Sequence, residues 1–122
     1  IAAARRFAHN APVVVAFQPH RYSRTTYLKD DFAAALSGAD HVVLAPIYAA
    51  SEAPIPGVSS RSIGEPLAAA GTPVTYVDDV EALLEAIPRE APDGALVLML
   101  GAGSISGVAH RLGERVGTAL AR

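Results

Sequence analysis

The sequence contains no cysteine, and this absence removes two kinds of chemistry. Disulfide bonds and thiolate metal sites are both excluded, and a reducing compartment is permitted without being proved. Lysine is nearly absent too, because Lys29 stands alone beside nine arginines. No glycine lies near it, so the chain has no G-x-x-x-x-G-K-[ST] loop to hold nucleotide phosphates. Any ATP chemistry therefore needs another domain to bind the β- and γ-phosphates.

Long hydrophobic runs are missing as well. The longest, residues 95–100, is far too short to span a bilayer, and the first residues lack the apolar core of a signal peptide. The net charge is −2 at pH 7 and there is no basic stripe, which argues against a general nucleic-acid binder. We therefore expect a cytoplasmic protein whose partners include neither a membrane nor a nucleic acid.

Apolar runs alternate with segments of helical period along the chain. With 122 residues, 51% of them hydrophobic, the chain can form one domain with a full core. The predicted strands are residues 13–17, 41–47, 74–77 and 95–100. The predicted helices are residues 1–9, 26–37, 62–70, 79–87 and 105–120. This alternation predicts an α/β fold, with a mostly parallel sheet and helices on both faces.

Several residues predict where helices begin and end. Ser62 and Glu65 match a capping box, and Asp79 and Ser104 are each placed to cap the helix that follows them. Pro88 is expected to end the fourth helix. The helix over residues 1–9 opens with no capping residue, so we expect the chain to have been cut from a longer protein.

The strongest local signal is the loop over residues 18–25, which follows the first strand. It carries His20, Arg21 and Arg24 in a chain that is otherwise slightly acidic. Ligands of open α/β sheets bind outside the carboxyl ends of the strands. The planar fork of arginine suits carboxylate and phosphate oxygens. The loop is therefore a candidate site for an anion.

A long loop stiffened by prolines, residues 48–57, follows the second strand, as is typical of functional loops. We expect its Tyr48 and Glu52 to lie beside the first loop. Glu52 is a candidate to hold an arginine in place or to help to bind a metal, and a solvated carboxylate is an equal alternative. Ion pairs of the arginines with Asp30, Asp31 or Glu52, which would merely tie loops together, are equally open.

Glycines follow the last strand and precede the last helix. Gly101 and Gly103 would let a ligand approach the backbone, and the helix N-terminus that Ser104 opens attracts anions. The dinucleotide fingerprint would need a glycine where Ser106 stands, so a nicotinamide cofactor is not expected. A tight turn with helix-to-sheet packing explains the glycines equally well. The four histidines are scattered, with no spacing typical of a metal site.

Three stretches together resemble a known family. Residues 15–25 read V-A-F-Q-P-H-R-Y-S-R-T, residues 48–57 read Y-A-A-S-E-A-P-I-P-G, and residues 101–105 read G-A-G-S-I. With D-D-F at residues 30–32 and S-R at residues 60–61, this ordered set resembles the Mur ligases of peptidoglycan synthesis. The resemblance is to the branch that adds L-alanine to UDP-N-acetylmuramate, and it covers nearly the whole chain.

The resemblance implies that residues 1–122 are the C-terminal domain of a three-domain ligase, truncated at its N-terminus. This domain would be a three-layer Rossmann-like domain that closes over the other two. The first domain of the family holds the UDP-sugar, and the central domain carries the P-loop. ATP and Mg²⁺ would be bound mainly by that central domain, and no cofactor is expected in this domain alone. The family segment D-D-Y-G-H-H-P, which precedes the first helix, is absent from this chain.

The resemblance also implies a reaction and a set of site residues. ATP would convert the muramate carboxylate to an acyl phosphate, which the amine of L-alanine attacks. Arg21 and Arg24 would be catalytic, because they stabilise the negative charge of these states. The implied substrate-binding residues are His20, Arg21, Arg24, Tyr48, Glu52, Gly101, Gly103 and Ser104. No residue of this domain is assigned as a metal ligand.

Two alternatives remain open from the sequence. A related recycling ligase joins a whole tripeptide to UDP-N-acetylmuramate and shares many of the motifs. A stand-alone Rossmann-like module that binds a small anion without catalysis is a different class of protein. Under either ligase hypothesis, the isolated chain is expected to have no activity.

Overall fold

The computed structural model describes residues 6, 11–101 and 103–116. The described elements are, in chain order, β1 (Val13–Gln18), α1 (Tyr22–Leu36), β2 (His41–Leu44), α2 (Arg61–Ala69), β3 (Val74–Tyr76), α3 (Leu83–Glu90), β4 (Leu96–Gly101) and α4 (Ile105–Val116). The helix predicted over residues 1–9 lies outside the described residues except for Arg6, which is helical. The predicted end of the last helix, residues 117–120, also lies outside them. Within the described ranges, no helix is both long and apolar enough to cross a bilayer.

The four strands form one sheet in the order β3-β2-β1-β4. Every pairing in it is parallel, so the predicted parallel sheet is confirmed. From β1 the chain adds β2 and then β3 on one side, and it crosses back to place β4 on the other side of β1. Such a reversal of strand order opens a crevice at the carboxyl ends of the two strands beside it. The crevice lies here between the ends of β1 and β4.

Helices cover both faces of the sheet, as predicted. Val14 and Ala16 of β1 belong to a buried cluster that includes residues of α3 and α4. Val13 and Val15, which point the other way, belong to a second cluster with residues of α1 and α2. Strand residues that alternate between two buried clusters read as a continuous apolar run, which is why β1 could be identified from the sequence. The three-layer α/β architecture is therefore confirmed.

The boundaries of α1 and β2 differ from the prediction by more than one residue. α1 begins at Tyr22 rather than at residue 26, so Arg24 lies in the first turn of a helix and not in the loop. β2 ends at Leu44 rather than at residue 47. Pro46 has no N–H to donate, so the strand ladder cannot continue past Ala45.

The capping box predicted at Ser62 and Glu65 is wrong, because the reciprocal bonds lie one turn earlier. The Ser59 hydroxyl accepts the N–H of Arg61 at 3.1 Å. The Ser62 hydroxyl accepts the N–H of Ser59 at 3.2 Å. α2 accordingly begins at Arg61.

The start of the next helical segment is confirmed and its end is not. The Asp79 carboxylate accepts the N–H of Ala82 at 2.9 Å, as a capping residue does, and a short 3₁₀ turn leads into α3. Pro88 lies inside α3 instead of ending it. The amide of Ala91 still reaches the carbonyl of Ile87 at 2.8 Å, so the last turn closes around the proline.

Gly64 of α2 lies against the ring of Tyr76 on β3, with no room for a methyl group. A Cβ atom on Gly64 would lie 2.1 Å from the Tyr76 hydroxyl oxygen and 2.7 Å from Cζ. The Arg61 guanidinium carbon lies 4.2 Å from the centroid of the same ring. The ring is therefore held between α2 and the sheet.

We predict that Gly64→Ala lowers the free energy of unfolding by about 1–3 kcal/mol, which is typical of overpacking. Gly107→Ala is the matched control, because nothing lies within 4 Å of its new Cβ on α4. That control is expected to keep or to raise stability by up to about 1 kcal/mol. Urea unfolding of both variants checks the prediction, and equal midpoints would contradict the tight contact.

Candidate functional site

The side chain of Gln18 lies at the bottom of the crevice between β1 and β4. It is 4% exposed and lies opposite Gly101 in the parallel register. Its side-chain amide donates to the Ser104 hydroxyl at 3.1 Å, and its carbonyl oxygen accepts the N–H of Ile105 at 3.1 Å. Gln18 therefore fixes the glycine loop to β1 and satisfies an amide at the start of α4. Ser104 was predicted to cap this helix, but its hydroxyl accepts a side-chain N–H of Gln18 instead.

Gly101 and Gly103 are required by close approaches within this site. Both have positive φ, 142° and 101°. A Cβ on Gly101 would lie 2.7 Å from the carbonyl oxygen of Gln18. A Cβ on Gly103 would lie 2.8 Å from the ring of Tyr48. The two glycines thus let the loop after β4 pack against the loops after β1 and β2, and the tight-turn reading of the sequence matches this packing.

The loops after β1 and β2 run side by side, as expected. The amide of Tyr48 donates to the carbonyl of Pro19, and the amide of Arg21 donates to the carbonyl of Tyr48, both at 2.8 Å. The rings of His20 and Tyr48 stack with their centroids 5.8 Å apart and their planes 19° apart. Tyr48 therefore contacts the loop after β1 and also Gly103 in the loop after β4.

Arg21 has an unusual backbone conformation, with φ 67° and ψ 146°. Residues other than glycine rarely adopt this backbone conformation, and holding one there costs about 1–3 kcal/mol. The Arg21 carbonyl accepts both the amide of Thr25 at 3.2 Å and its hydroxyl at 2.8 Å. Thr25 is fully buried. Arg21 is therefore held by hydrogen bonds on both sides of its Cα atom, through its own N–H and its own carbonyl.

The side chains of Arg21 and Arg24 are both exposed, one just before α1 and the other in its first turn. Across the part of the chain that the structure describes, the ion pairs involve other groups, and neither arginine lies within 4 Å of a carboxylate. The ion pairs with Asp30, Asp31 or Glu52 that the sequence left open are thus not formed there. Two guanidinium groups remain available to an external anion.

Glu52 binds the first turn of α1. Its two carboxylate oxygens accept the amide of Ser23 at 2.9 Å and the hydroxyl of Ser23 at 2.5 Å. These bonds, the hydroxyl first, lower the pKa of Glu52, and the nearby charge of Arg21 adds to the effect. A negative charge at a helix N-terminus is also favoured by the helix dipole. Glu52 is therefore a partly exposed carboxylate held by Ser23, and it forms no ion pair with Arg21.

Ser23 is the residue that sequence reasoning missed in this site. Its partner lies 29 positions further along the chain, so no local spacing connects the two. Among the described residues, no group of three or more His, Cys, Asp or Glu side chains could hold a metal ion. The expectation that Glu52 helps to bind a metal therefore gains no support from its described neighbours.

A second concavity of about 270 Å³ lies at the carboxyl ends of β2 and β3. Tyr22, Ser59, Arg61 and Asp78 line part of it. It adjoins the crevice, because Tyr22 follows Arg21 directly. Of this lining, the sequence analysis had singled out Tyr22, within residues 15–25, and the S-R pair at residues 60–61, both as part of the resemblance.

Comparison with known families matches residues 1–103 to a model described as "Mur ligase, glutamate ligase domain". The matched range includes β1 to β4 and the loops that follow the first three strands. It therefore contains all the residues of the crevice described above except Ser104 and Ile105.

Curated relatives carry the name UDP-N-acetylmuramate–L-alanine ligase. One from Acidithiobacillus ferrooxidans is 49% identical over 109 residues, which cover 89% of this chain and 24% of the relative. One from Xanthomonas campestris pv. campestris is 49% identical over 112 residues, covering 91% of this chain and 24% of the relative. The chain thus spans about a quarter of the length of these relatives.

A solved structure shares the fold. It is a domain from Haemophilus ducreyi, described as part of a candidate UDP-N-acetylmuramate:L-alanyl-γ-D-glutamyl-meso-diaminopimelate ligase. The two chains are 22% identical with a TM-score of 0.54, and the match covers 91% of this chain and 73% of the other. At this identity the likeness extends to the architecture alone.

Gln18→Leu is predicted to lower the free energy of unfolding by about 1–3 kcal/mol, because it leaves the Ile105 amide without its acceptor in a buried position. Ser104→Ala is the matched control. It removes only the exposed end of the same network and should cost less than about 1 kcal/mol. Urea unfolding measures both, and equal losses would show that Gln18 does not close the crevice.

Glu52→Gln is predicted to lower the thermal midpoint at pH 7 by an amount that depends on pH. The folded pKa of Glu52 lies below its ordinary value, so the ionised carboxylate stabilises the fold above that value. This stabilisation is lost as the pH falls through the folded pKa. The gap between wild type and variant should therefore narrow below about pH 4.3.

Thermal unfolding between pH 3 and pH 7 checks this pH dependence. Glu85→Gln, on an exposed position in the first turn of α3, leaves the Ser23 contact intact and should lower the pH 7 midpoint less than Glu52→Gln does. A gap that stays constant down to pH 3 would mean that the charge of Glu52 contributes nothing to the contact.

Proposed function

We propose, since this chain belongs to the Mur ligase family, that it is the C-terminal domain of a ligase that joins L-alanine to UDP-N-acetylmuramate. The names of its curated relatives support this substrate pair. Because the chain spans only a quarter of their length, the activity is proposed for a longer protein with an N-terminal and a central domain. Residues 1–122 would supply one wall of a site between domains.

The observation that chiefly supports the proposal is the backbone conformation and the exposure of Arg21. Its backbone is held in a strained conformation at the crevice, and its guanidinium has no carboxylate partner within the described residues. Forming an amide from a carboxylate and an amine with ATP passes through an acyl phosphate and a tetrahedral state. Both concentrate negative charge, which fixed cations stabilise by several kcal/mol. Arg21 and Arg24 are suited to that role once another domain presents the substrate.

The remaining crevice residues would shape and orient the substrate. His20 and Tyr48 form a stacked aromatic pair on one side, where His20 positions rather than transfers protons. Gly101, Gly103 and Ser104 form the other side, where the two glycines let the loop pack against Gln18 and Tyr48 and so set the shape of that wall. Closure of the domain would exclude water that otherwise hydrolyses the acyl phosphate.

ATP and Mg²⁺ are proposed to bind mainly outside this domain. The described residues contain no cluster that fits a metal ion, and the sequence has no phosphate-binding P-loop. Mg²⁺ bound with ATP would neutralise phosphate charge; this chain's contribution is the arginine pair. The proposed location is the cytoplasm, where ATP is supplied.

In the full-length protein, Arg21→Ala is predicted to lower kcat/KM by about 100-fold or more, as the loss of one transition-state donor does. Arg21→Lys keeps the positive charge but lacks the planar guanidinium, so it should recover part of the lost kcat/KM. Arg89→Ala is the control, because Arg89 lies on α3 and pairs with Glu90 at 3.3 Å. Steady-state kinetics measure all three, and an unchanged efficiency for Arg21→Ala would remove this residue from the mechanism.

The same assay separates the proposed substrate from the alternatives. Turnover with L-alanine but not with the tripeptide supports the proposal, and the reverse preference identifies a recycling ligase. Titration of the 122-residue chain alone with inorganic phosphate tests the stand-alone module. Weak or absent binding is expected, because the site is completed by other domains.

A further inference from the structure

The strained conformation of Arg21 must be maintained by contacts outside the residue itself. Its amide is held by Tyr48, in the loop after β2, and its carbonyl is held by Thr25, in α1. These bonds form together only if the loop after β2 and the first turn of α1 keep a fixed distance from each other. A link between those two segments is therefore a condition for the Arg21 geometry.

Glu52 and Ser23 supply that link. Theirs are the side-chain hydrogen bonds that, among the described residues, join the loop after β2 to α1. The loop is itself bent to bring Glu52 there, since Ala50 and Ser51 have positive φ values of 51° and 70°. Holding two successive residues other than glycine at positive φ costs conformational energy, as holding Arg21 there does. Strain on both sides of the contact is thus retained in part by the Glu52 carboxylate, which accepts the amide and the hydroxyl of Ser23.

Direct binding of an anionic substrate by Glu52 conflicts with this geometry. Both of its oxygens already accept hydrogen bonds from Ser23. A carboxylate beside a substrate carboxylate or phosphate would also repel it. At the N-terminus of α1 the same negative charge is favourable instead.

We propose that Glu52 is a positioning residue which, through Ser23, keeps Arg21 in the backbone conformation that its action on the substrate requires. This inference rests on the proposed function, because it takes Arg21 to act on the anionic substrate. It assigns Glu52 a role without substrate contact, in place of the direct binding that the sequence resemblance implied. It also assigns Ser23 a role in the site.

A double-mutant cycle in the full-length protein tests the coupling. Glu52→Gln should lower kcat/KM at least about fivefold when Arg21 is present and should have little further effect in an Arg21→Ala background. Ser23→Ala removes the hydroxyl bond to Glu52 and keeps the amide bond, so it should give part of this loss, and Ser23→Thr, which keeps the hydroxyl, should restore most of that part. Glu85→Gln is the matched control and should leave kcat/KM unchanged. Equal losses from Glu52→Gln in both backgrounds, or no loss at all, would overturn the inference.

Amide hydrogen exchange reads the positioning without using activity. In the full-length protein, Glu52→Gln should speed exchange at the amides of Arg21 and Thr25 and leave the buried Val43 of β2 unchanged. Unaltered exchange at Arg21 overturns the inference, whatever happens to turnover. An Arg21→Ala variant with normal turnover overturns the proposed function instead, so the two failures are distinguishable.

Discussion

The pairing of β1 with strands on both of its edges is the constraint on which the site depends. β2 joins one edge and β4 the other, although β4 is the last strand in the chain. The chain leaves β1 toward the face covered by α1 and leaves β4 toward the face covered by α4. The two loops therefore diverge, and the strand order alone opens a crevice between them.

Side chains then convert this crevice into one connected site. Gln18, at the end of β1, reaches the start of α4 and closes the bottom of the crevice. Tyr48 contacts His20 on one side and Gly103 on the other, so three loops from three strands share one aromatic ring. Displacing any one of these loops would disturb the other two, which gives the site a rigidity that separate loops lack.

The sequence predicted those parts of the structure that depend on local pattern. Val13, Val14 and Val15 form a run that is typical of a strand buried on both faces, and Ile105, Val108 and Leu112 recur at the period of a helix with one buried side. The alternation of such segments was sufficient for the architecture.

The details that escaped prediction depend on contacts between distant residues. Ile105 donates its N–H to a side chain 87 positions earlier, and Ser23 donates its N–H to one 29 positions later. The start of α1 was misplaced for a related reason. Arg21 adopts a conformation that its residue type disfavours, and only the surrounding contacts determine it. In this site, the residues that sequence reasoning missed are thus the ones that join the strand-end loops to the helices.

Charge separation within the site explains why the arginines have no carboxylate partner in the part of the chain that the structure describes. The nearest acidic side chain, Glu52, is turned toward the amide and hydroxyl of Ser23, where hydrogen bonds and the helix terminus satisfy it. Had it paired with Arg21 directly, an incoming anion would have to displace it and would gain less from binding. Because the helix terminus takes up this carboxylate, neither guanidinium group is bound to it directly. The contact that holds the loop in place therefore also leaves the arginines without a carboxylate partner among the described residues.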